Sequence, residues 1–466
     1  MSGESEIPKG WIFTNLGEVC ELKNGYAFKS TDYLKDSGIP IIRISDIGEG
    51  KIDLKDCVRI NEDIEYESYI VNRNEILVAM SGATTGKFGI YRGDEKVYQN
   101  QRVGKFKIRF KEVLNNSYLL YLLYSLKQRI LKDAYGGAQP NISSGKIEEL
   151  PFPLPPLPEQ HRIVAKIEEL FSSLDKGIES LNMAQAQLKV YRQAVLKWAF
   201  EGKLTNNDVK DGELPAGWKI EELKKITFKA KKIKVKEQEE NEGFKYLDIG
   251  GIDNSKLKIT SHKTYQWKDA PSRAQQIVEV GDTLFSTVRT YLKNIALVDK
   301  EIYHNQICSS GFTVIRADQN KIKPKFLFFY STYQGFINSL NKLQTGTSYP
   351  AVRDEDVFSQ KINYPISLKE QQLIVSEIES RLSVCDKIEE SIILSLLQAE
   401  ALRQSILKKA FEGKLVPQDP DDKPASVLLE RIKAGRESQQ QVEVKRKASR
   451  STKRASQERT YEHRNS

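Results

Sequence analysis

Hydrophobic positions along the chain fall into two alternating kinds of pattern. The first is short β-type runs bounded by polar, glycine-bearing loops: Ile39–Ile44, Glu75–Met80 and Arg102–Phe110, the last alternating with basic residues. Ser117–Ala134 reads as a helix inside this region. The second kind is a long apolar stripe at heptad spacing. From Glu159 to Phe200 it runs through Ile167, Leu174, Leu181, Leu188 and Val195, with Ile163, Leu170, Ala184, Tyr191 and Trp198 as the second register. Gly177 interrupts the stripe, and Gly202 stands where such a helix would stop. At 1.5 Å per residue the helix is about 60 Å long. A lone helix of that length with one apolar stripe requires a partner.

The chain supplies that partner by repeating itself. Leu157–Leu204 recurs without a gap at Leu368–Leu415, with nearly half of the aligned positions identical. Both copies open on Leu-x-Glu-Gln and close on Ala-Phe-Glu-Gly-Lys-Leu. Ile374, Ile378, Ile388, Ile392, Leu402 and Ile406 line the second stripe. The segments before the helices repeat only in outline. Ile7–Trp11 is echoed by Leu214–Trp218, Arg73–Ala79 by Val280–Ser286, and Tyr98–Gln101 by Tyr303–Gln306. Gly136–Gly145 is matched in position by Leu343–Val352. Prolines 151, 153, 155, 156 and 158 read as a stiff connector before the first helix.

These patterns predict an α+β chain: two α/β domains, residues 1–156 and 206–367, joined by helices at 157–205 and 368–416. The helices are expected to pair antiparallel with pseudo-twofold symmetry, placing two unlike heads at opposite ends of a rod. Residues 417–466 are expected to form a polar, basic tail, partly disordered beyond a short amphipathic stretch at 425–433.

Composition sharpens the partner. The 466 residues carry a formal charge of +9, with 39% hydrophobic and 29% charged residues, which favours a soluble chain with an anionic partner, nucleic acid first. Seven lysines between Lys224 and Lys236 (224, 225, 229, 231, 232, 234, 236) add a phosphate-facing or solvated strand. No apolar run approaches the roughly 20 residues of a membrane span. The first residues carry no secretory pattern, so a cytoplasmic location is expected. Cys20, Cys57, Cys308 and Cys385 and the four histidines show no metal-ligand spacing. Ser81–Gly89 fails as a phosphate-binding loop, because Gly82 and Gly86 enclose three residues and Phe88 replaces the metal-binding hydroxyl. Pro155-Pro156 lacks the polar and aromatic flanks of an adenine methyltransferase motif. The pattern therefore predicts a binding subunit with no catalytic residues and no bound metal.

The doubled Leu-x-Glu-Gln…Arg-Gln-(Ala/Ser)-(Val/Ile)-Leu-Lys…Ala-Phe-Glu-Gly-Lys-Leu helix and the Pro-x-Gly-Trp openings at Pro8–Trp11 and Pro215–Trp218 resemble the specificity subunits of type I restriction–modification systems. So does the tail over Pro417–Lys433. The resemblance implies that the two variable halves are target recognition domains reading a bipartite site in double-stranded DNA. It implies that the helices are spacers binding two methyltransferase subunits, with two motor–nuclease (restriction/translocase) subunits completing the assembly. S-adenosylmethionine, ATP and magnesium then belong to those partners, with none bound by this chain, and the product is adenine methylated at N6.

Polar loop side chains are the candidates for DNA contact, since amides, hydroxyls and guanidinium groups bond base edges and phosphates. In the first half these are Ser81, Thr84, Thr85, Lys87, Gln99, Asn100, Gln101, Arg102, Gln139, Asn141, Ser143 and Lys146. In the second they are Thr287, Arg289, Thr290, Tyr291, Lys293, His304, Asn305, Gln306, Thr345, Thr347, Ser348, Tyr349 and Arg353. Each also has a plain alternative, because such residues in glycine-rich loops commonly bond their own backbone. Arg192, Gln193, Arg403 and Gln404 are candidates for docking partner subunits. The rival to DNA recognition is a two-headed protein-binding scaffold.

Overall fold

The structure is a computed structural model describing residues 7–134, 140–206, 208–210, 212–431 and 434. Its residues divide into two compact units, one of Met1–Ile178 with Leu397–Ser466 and the other of Glu179–Leu396. Each unit thus combines one sheet-rich domain with the end of one long helix and the start of the other.

In the first unit, a five-stranded sheet runs in the order Cys20–Asn24, Val103–Ile108, Ile76–Ala79, Phe88–Ile90, Gly50–Lys51. A four-stranded sheet runs Val58–Ile60, Ile39–Ile42, Val97–Gln99, Ile70–Val71. The strands at 76–79 and 97–99 are buried along their whole length. This is why Ile76–Ala79 reads as an unbroken apolar run instead of an alternating one, whereas Gln99 is a polar residue sealed inside its strand. Helix Asn116–Ala134 covers the larger sheet with Tyr118, Leu119, Leu122 and Leu123. The proline-rich connector is partly a strand. Pro151–Leu154 pairs antiparallel with Ile12–Asn15 in a two-stranded ladder, a position that tolerates residues without an N–H.

The second unit repeats the frame with different residues. One four-stranded sheet runs Thr227–Lys229, Phe312–Ala317, Thr283–Ser286, Ile295–Leu297, and another Lys263–Gln266, Gly243–Leu247, Gln306–Ser309, Ala274–Val278. Trp218–Glu222 pairs with Lys361–Pro365 as Ile12–Asn15 pairs with Pro151–Leu154.

The long helices span Leu157–Phe200 and Leu368–Phe411. They run antiparallel. In the first unit Ile163 and Ile167 share a core with Ile406, Leu407 and Ala410, and Arg403 pairs with Asp175. In the second, Val195 and Ala199 share a core with Ile374 and Ile378, and Arg192 pairs with Asp386 and Glu389. The seam departs from the expected heptad in one register. Tyr191, Trp198, Ile388 and Leu402 are all more than 40% exposed. Arg192, Ala199, Glu389 and Arg403, one residue further on, are the half-buried or buried ones instead. A straight helix of 3.6 residues per turn drifts by about 20° per heptad, so a second register read far along the helix rotates out of the interface.

The repeated motifs are the joints between helix and domain. The Trp11 indole donates to Glu159 at 2.9 Å, and the Trp218 indole to Glu370 at 2.8 Å. Gln160 donates to the carbonyls of Val113 and Pro155 and accepts from the Asn115 amide. Gln371 does the same with Lys321, Pro365 and Lys323. Both glutamines are wholly buried, so an amide with two donors and an acceptor satisfies three backbone groups that water cannot reach. Burial raises the Glu159 carboxyl above its usual range, while the indole and Arg162 act in the opposite direction.

At the other end each helix closes on glycine. Lys203 donates to Trp198 O and Gly202 to Ala199 O, and Lys414 and Gly413 repeat this with Lys409 and Ala410. That is the six-to-one and five-to-two pattern of a glycine cap, with φ +77° at Gly202 and +68° at Gly413. A methyl group at Gly413 would overlap the Pro8 ring, and one at Gly202 the Pro215 ring. Gly413→Ala is expected to destabilise the first unit by about 1–3 kcal/mol through strain and overlap together, measured as a lowered midpoint in urea unfolding.

The start of the segment read as a polar tail, with its amphipathic stretch from Ala425, packs onto the first unit. Ala425 N donates to Gly10 O, Arg162 pairs with Asp422 at 2.6 Å, and Ala425 and Leu429 enter the core of the first unit. The low-complexity stretch 435–466 lies outside the described residues.

Candidate nucleic-acid interface

In the first unit three segments meet beyond the end of strand Ile76–Ala79. Met80 N donates to Arg102 O, Gly82 N to Pro140 O, and Ile142 N to Met80 O. The Ser81–Thr85 turn is pinned by Thr85 Oγ1, which donates to Gly82 O at 2.7 Å and Pro140 O at 3.2 Å. Gly82 and Gly86 both adopt positive φ, +77° and +76°. The candidates sort by exposure. Gln101, Arg102, Asn141, Ser143 and Lys146 are exposed, and Thr84, Lys87 and Asn100 are half-buried. Gln99 is 1% exposed, and its amide donates to Lys23 O and Val103 O, so it holds strands together and offers no donor to a ligand. Thr85 is likewise buried and engaged, and Ser81 is buried. Ser143 caps helix Ser144–Glu148 by accepting from Lys146 N, although its residue surface remains open. Gln139 lies outside the described residues.

The same meeting point exists in the second unit and fixes the correspondence residue by residue. Thr287 N donates to Gly311 O, Arg289 N to Pro350 O, and Val352 N to Thr287 O. Thr287 therefore stands where Met80 does, Arg289 where Gly82 does, and Pro350 where Pro140 does. By the same count Lys293 stands at the place of Gly86. Both cationic residues keep the left-handed backbone of the glycines they replace, with φ +49° and +53°. The Arg289 guanidinium lies 4.8 Å from the Tyr349 ring centroid and donates to Ser348 O at 3.1 Å. Lys293 is half-buried, and burial lowers its ammonium from the usual range. Tyr291, Thr345, Thr347, Ser348, Tyr349 and Arg353 are exposed. Thr287 and Thr290 are buried, with Thr287 Oγ1 bonded to Gly311 O and Thr290 Oγ1 to Asn341. These two hydroxyls shape the loops.

The echo between Tyr98–Gln101 and Tyr303–Gln306 is not a structural equivalence. Strand Val97–Gln99 pairs parallel with Ile39–Ile42 so that Tyr98 faces Ile41. In the second unit Ile307 holds that place, facing Tyr246. His304 and Asn305 therefore precede the strand, at the end remote from the Ser309–Gly311 turn that meets Thr287. The His304 ring accepts from Val280 N, Asn305 N donates to Val278 O at φ +58°, and Gln306 accepts from Lys245 N. All three lie at the end of that strand opposite to the Arg289 junction. The true counterparts of Asn100 and Gln101 are Ser309 and Ser310. Ser310 is exposed beside exposed Arg273, whose carbonyl its amide bonds. Neither was a sequence candidate, because strand pairing alone identifies them.

Three of the four docking candidates are engaged within the chain. Arg192 ties the two helices together through Asp386 and Glu389, and Arg403 does so through Asp175 and the Phe171 ring. Gln193 accepts from Gln334 N. Gln404 alone remains exposed, bonded to Glu400. The lysine-rich run behaves as a solvated edge: Lys225, Lys229, Lys231 and Lys232 are exposed, Lys224 pairs with Glu222, and Lys234 with Glu237.

The arrangement offers hydrogen-bond donors, acceptors and cations on exposed loops, which is equipment for recognition. Burial pushes the Cys20 thiol up to about 12 and raises that of Cys308, which suppresses both as nucleophiles. Among the described residues no group of three or more His, Cys, Asp or Glu is placed to hold a metal ion, and no helix is long and apolar enough to cross a membrane.

A family model described as the type I restriction modification DNA specificity domain matches residues 8–182 and 215–398. The EcoKI specificity subunit of Escherichia coli K12 is 26% identical over 95% of this chain and 99% of its own. The StySPI specificity subunit of Salmonella potsdam is 26% identical over 92% and 96%, and the MjaVIII specificity subunit of Methanocaldococcus jannaschii 26% over 88% and 94%. Among solved structures, the HsdS subunit of Thermoanaerobacter tengcongensis superposes with a TM-score of 0.57 at 20% identity, covering 88% of this chain and 99% of that one. A chain from a structure titled for complex assembly and conformational transition of the type I R-M system superposes with a TM-score of 0.66 at 19% identity, over the same shares.

Proposed function

Because the chain belongs to the type I restriction–modification DNA specificity family, we propose that it is the sequence-recognition subunit of such a system, reading a bipartite DNA site with one domain per half. The observation that carries this reading is the loop junction built twice on the same backbone bonds and filled with different side chains. Equal frames present Gly82, Thr84 and Gly86 in one unit and Arg289, Tyr291 and Lys293 in the other. A doubled scaffold with unlike reading residues suits a site with two unlike halves.

The chain itself performs recognition, and the transfer and cleavage chemistry is assigned to partner subunits. The methyltransferases would supply S-adenosylmethionine-dependent methylation of adenine, and the motor–nuclease subunits ATP-dependent cleavage. With Arg192 and Arg403 engaged between helices, exposed apolar side chains on the helices become candidates for partner contact. Val384, Ile388, Ile393 and Leu394 in the second unit are 43–55% exposed on the helix surface.

Expression of the chain with its methyltransferase partner should produce one split motif of N6-methylated adenines, mapped by long-read sequencing. Purified complex should lose affinity steeply as salt rises, since phosphate contacts release counterions. Salt-insensitive association with no motif would favour the protein scaffold instead.

A further inference from the structure

We infer that Arg289 reads a guanine, and that the half-site recognised by the second unit contains that guanine; this rests on the DNA-recognition reading above. The first support is positional. Arg289 occupies the loop junction where the first unit has Gly82, and it takes up the glycine's left-handed backbone at φ +49°. A residue with a Cβ is disfavoured there, and Lys293 repeats the same exception at the place of Gly86. Two such residues around one turn are strain of the kind retained for function.

The second support is the geometry of the side chain. The guanidinium is held at 4.8 Å against the exposed Tyr349 ring and is fixed by a bond to Ser348 O. Its Nε is buried without a hydrogen-bond partner, so the Nε edge faces inward. Arg289 is half-buried, and its two terminal nitrogens carry four N–H groups, of which Ser348 O engages one, so one N–H on each is left to form a parallel pair of donors. Among the four bases in the major groove, guanine alone pairs two adjacent acceptors, N7 and O6, for such a fork. Adenine offers N7 beside a donor and would leave one N–H opposed. Stacking and the Ser348 bond remove the side-chain freedom that binding would otherwise have to freeze, so the contact is preorganised. A glycine at the corresponding position gives the first unit no such contact.

The test is selection of a randomised duplex library by the full chain in complex with its methyltransferase subunits, wild type against Arg289→Gly. Glycine suits the left-handed backbone, so the variant should melt at or above the wild type, which separates loss of reading from loss of fold. The expected result is a split wild-type motif in which one guanine, confined to one half-site, loses roughly ten- to a hundredfold of its discrimination in the variant while every other position is retained. An unchanged motif in the variant overturns the inference while leaving the recognition function standing. Uniform weakening across all sequences with a shallower salt dependence also overturns it, because Arg289 would then be a phosphate contact. A wild-type complex that enriches no motif overturns the recognition reading, and this inference with it.

Discussion

Arg316→Ala is expected to destabilise the second unit by about 3–5 kcal/mol at neutral pH, the cost of leaving a buried charge without its counterion. Arg316 lies on strand Phe312–Ala317. Its Nε and one terminal nitrogen hold both oxygens of Asp282, at 2.9 and 2.7 Å, and the other terminal nitrogen donates to Glu279 at 2.6 Å. Asp282 is 2% exposed and also accepts from Glu279 N. Removing the arginine therefore strands a carboxylate that water cannot reach. The pH dependence has a definite sign. Burial raises the folded-state Asp282 carboxyl, and Arg316 pulls against that rise. Without Arg316 the carboxyl rises further. A group raised on folding contributes stability that is present below its unfolded value and lost as pH climbs through its folded value. The deficit of Arg316→Ala against wild type should accordingly shrink toward mildly acid pH and grow toward neutral. Thermal melts across that range check it. A double variant Asp282→Asn with Arg316→Ala should recover part of the loss at neutral pH, and equal deficits at all pH values would contradict the account.

Phe200→Ala should cost a comparable 3–5 kcal/mol and should abolish one half of the recognition site. Phe200 closes the first long helix and is 3% exposed. Its ring sits 5.3 Å from those of Phe326 and Tyr330 and 5.7 Å from that of Tyr333, and its carbonyl accepts from Asn363. Alanine leaves a cavity in the joint that fixes the second recognition domain to its helix. In the partner complex, methylation or selection data should lose the contribution of one half-site, and hydrogen exchange should quicken within residues 206–367. Quickened exchange spread evenly over both domains would refute a local effect. Phe411, in the same motif of the second helix, meets Tyr118 at 5.3 Å in the first unit, so its replacement should affect the other half-site.

Much of the architecture was legible because it depends on periodicity. The strands at 76–79 and 103–108 and both long helices fall where apolar spacing puts them. The landmark shared by Arg73–Ala79 and Val280–Ser286 has matching strand registers, Ile76 facing Phe106 as Thr283 faces Ile315. The second seam register was misplaced because spacing errors accumulate along a helix. The match of Tyr98–Gln101 to Tyr303–Gln306 misled because similar letters recur at opposite ends of a strand, and only the parallel pairing of Tyr98 with Ile41 and of Ile307 with Tyr246 shows it.

The sequence by itself determined the doubled plan, the α+β class and the family, since each rests on which residues recur and at what spacing. It also contained the joints, Trp11 with Glu159 and Gln160, and Trp218 with Glu370 and Gln371, although their meaning needed contacts across more than a hundred residues. Tertiary structure alone decided which polar residues face out. Gln99 and Gln101 are two positions apart in one short run, yet the first is sealed between strands and the second is open to solvent. It also decided that Arg289 stands on a glycine's backbone with its guanidinium over the Tyr349 ring. Burial and orientation are set by neighbours distant in the chain, and no local pattern encodes which neighbour arrives.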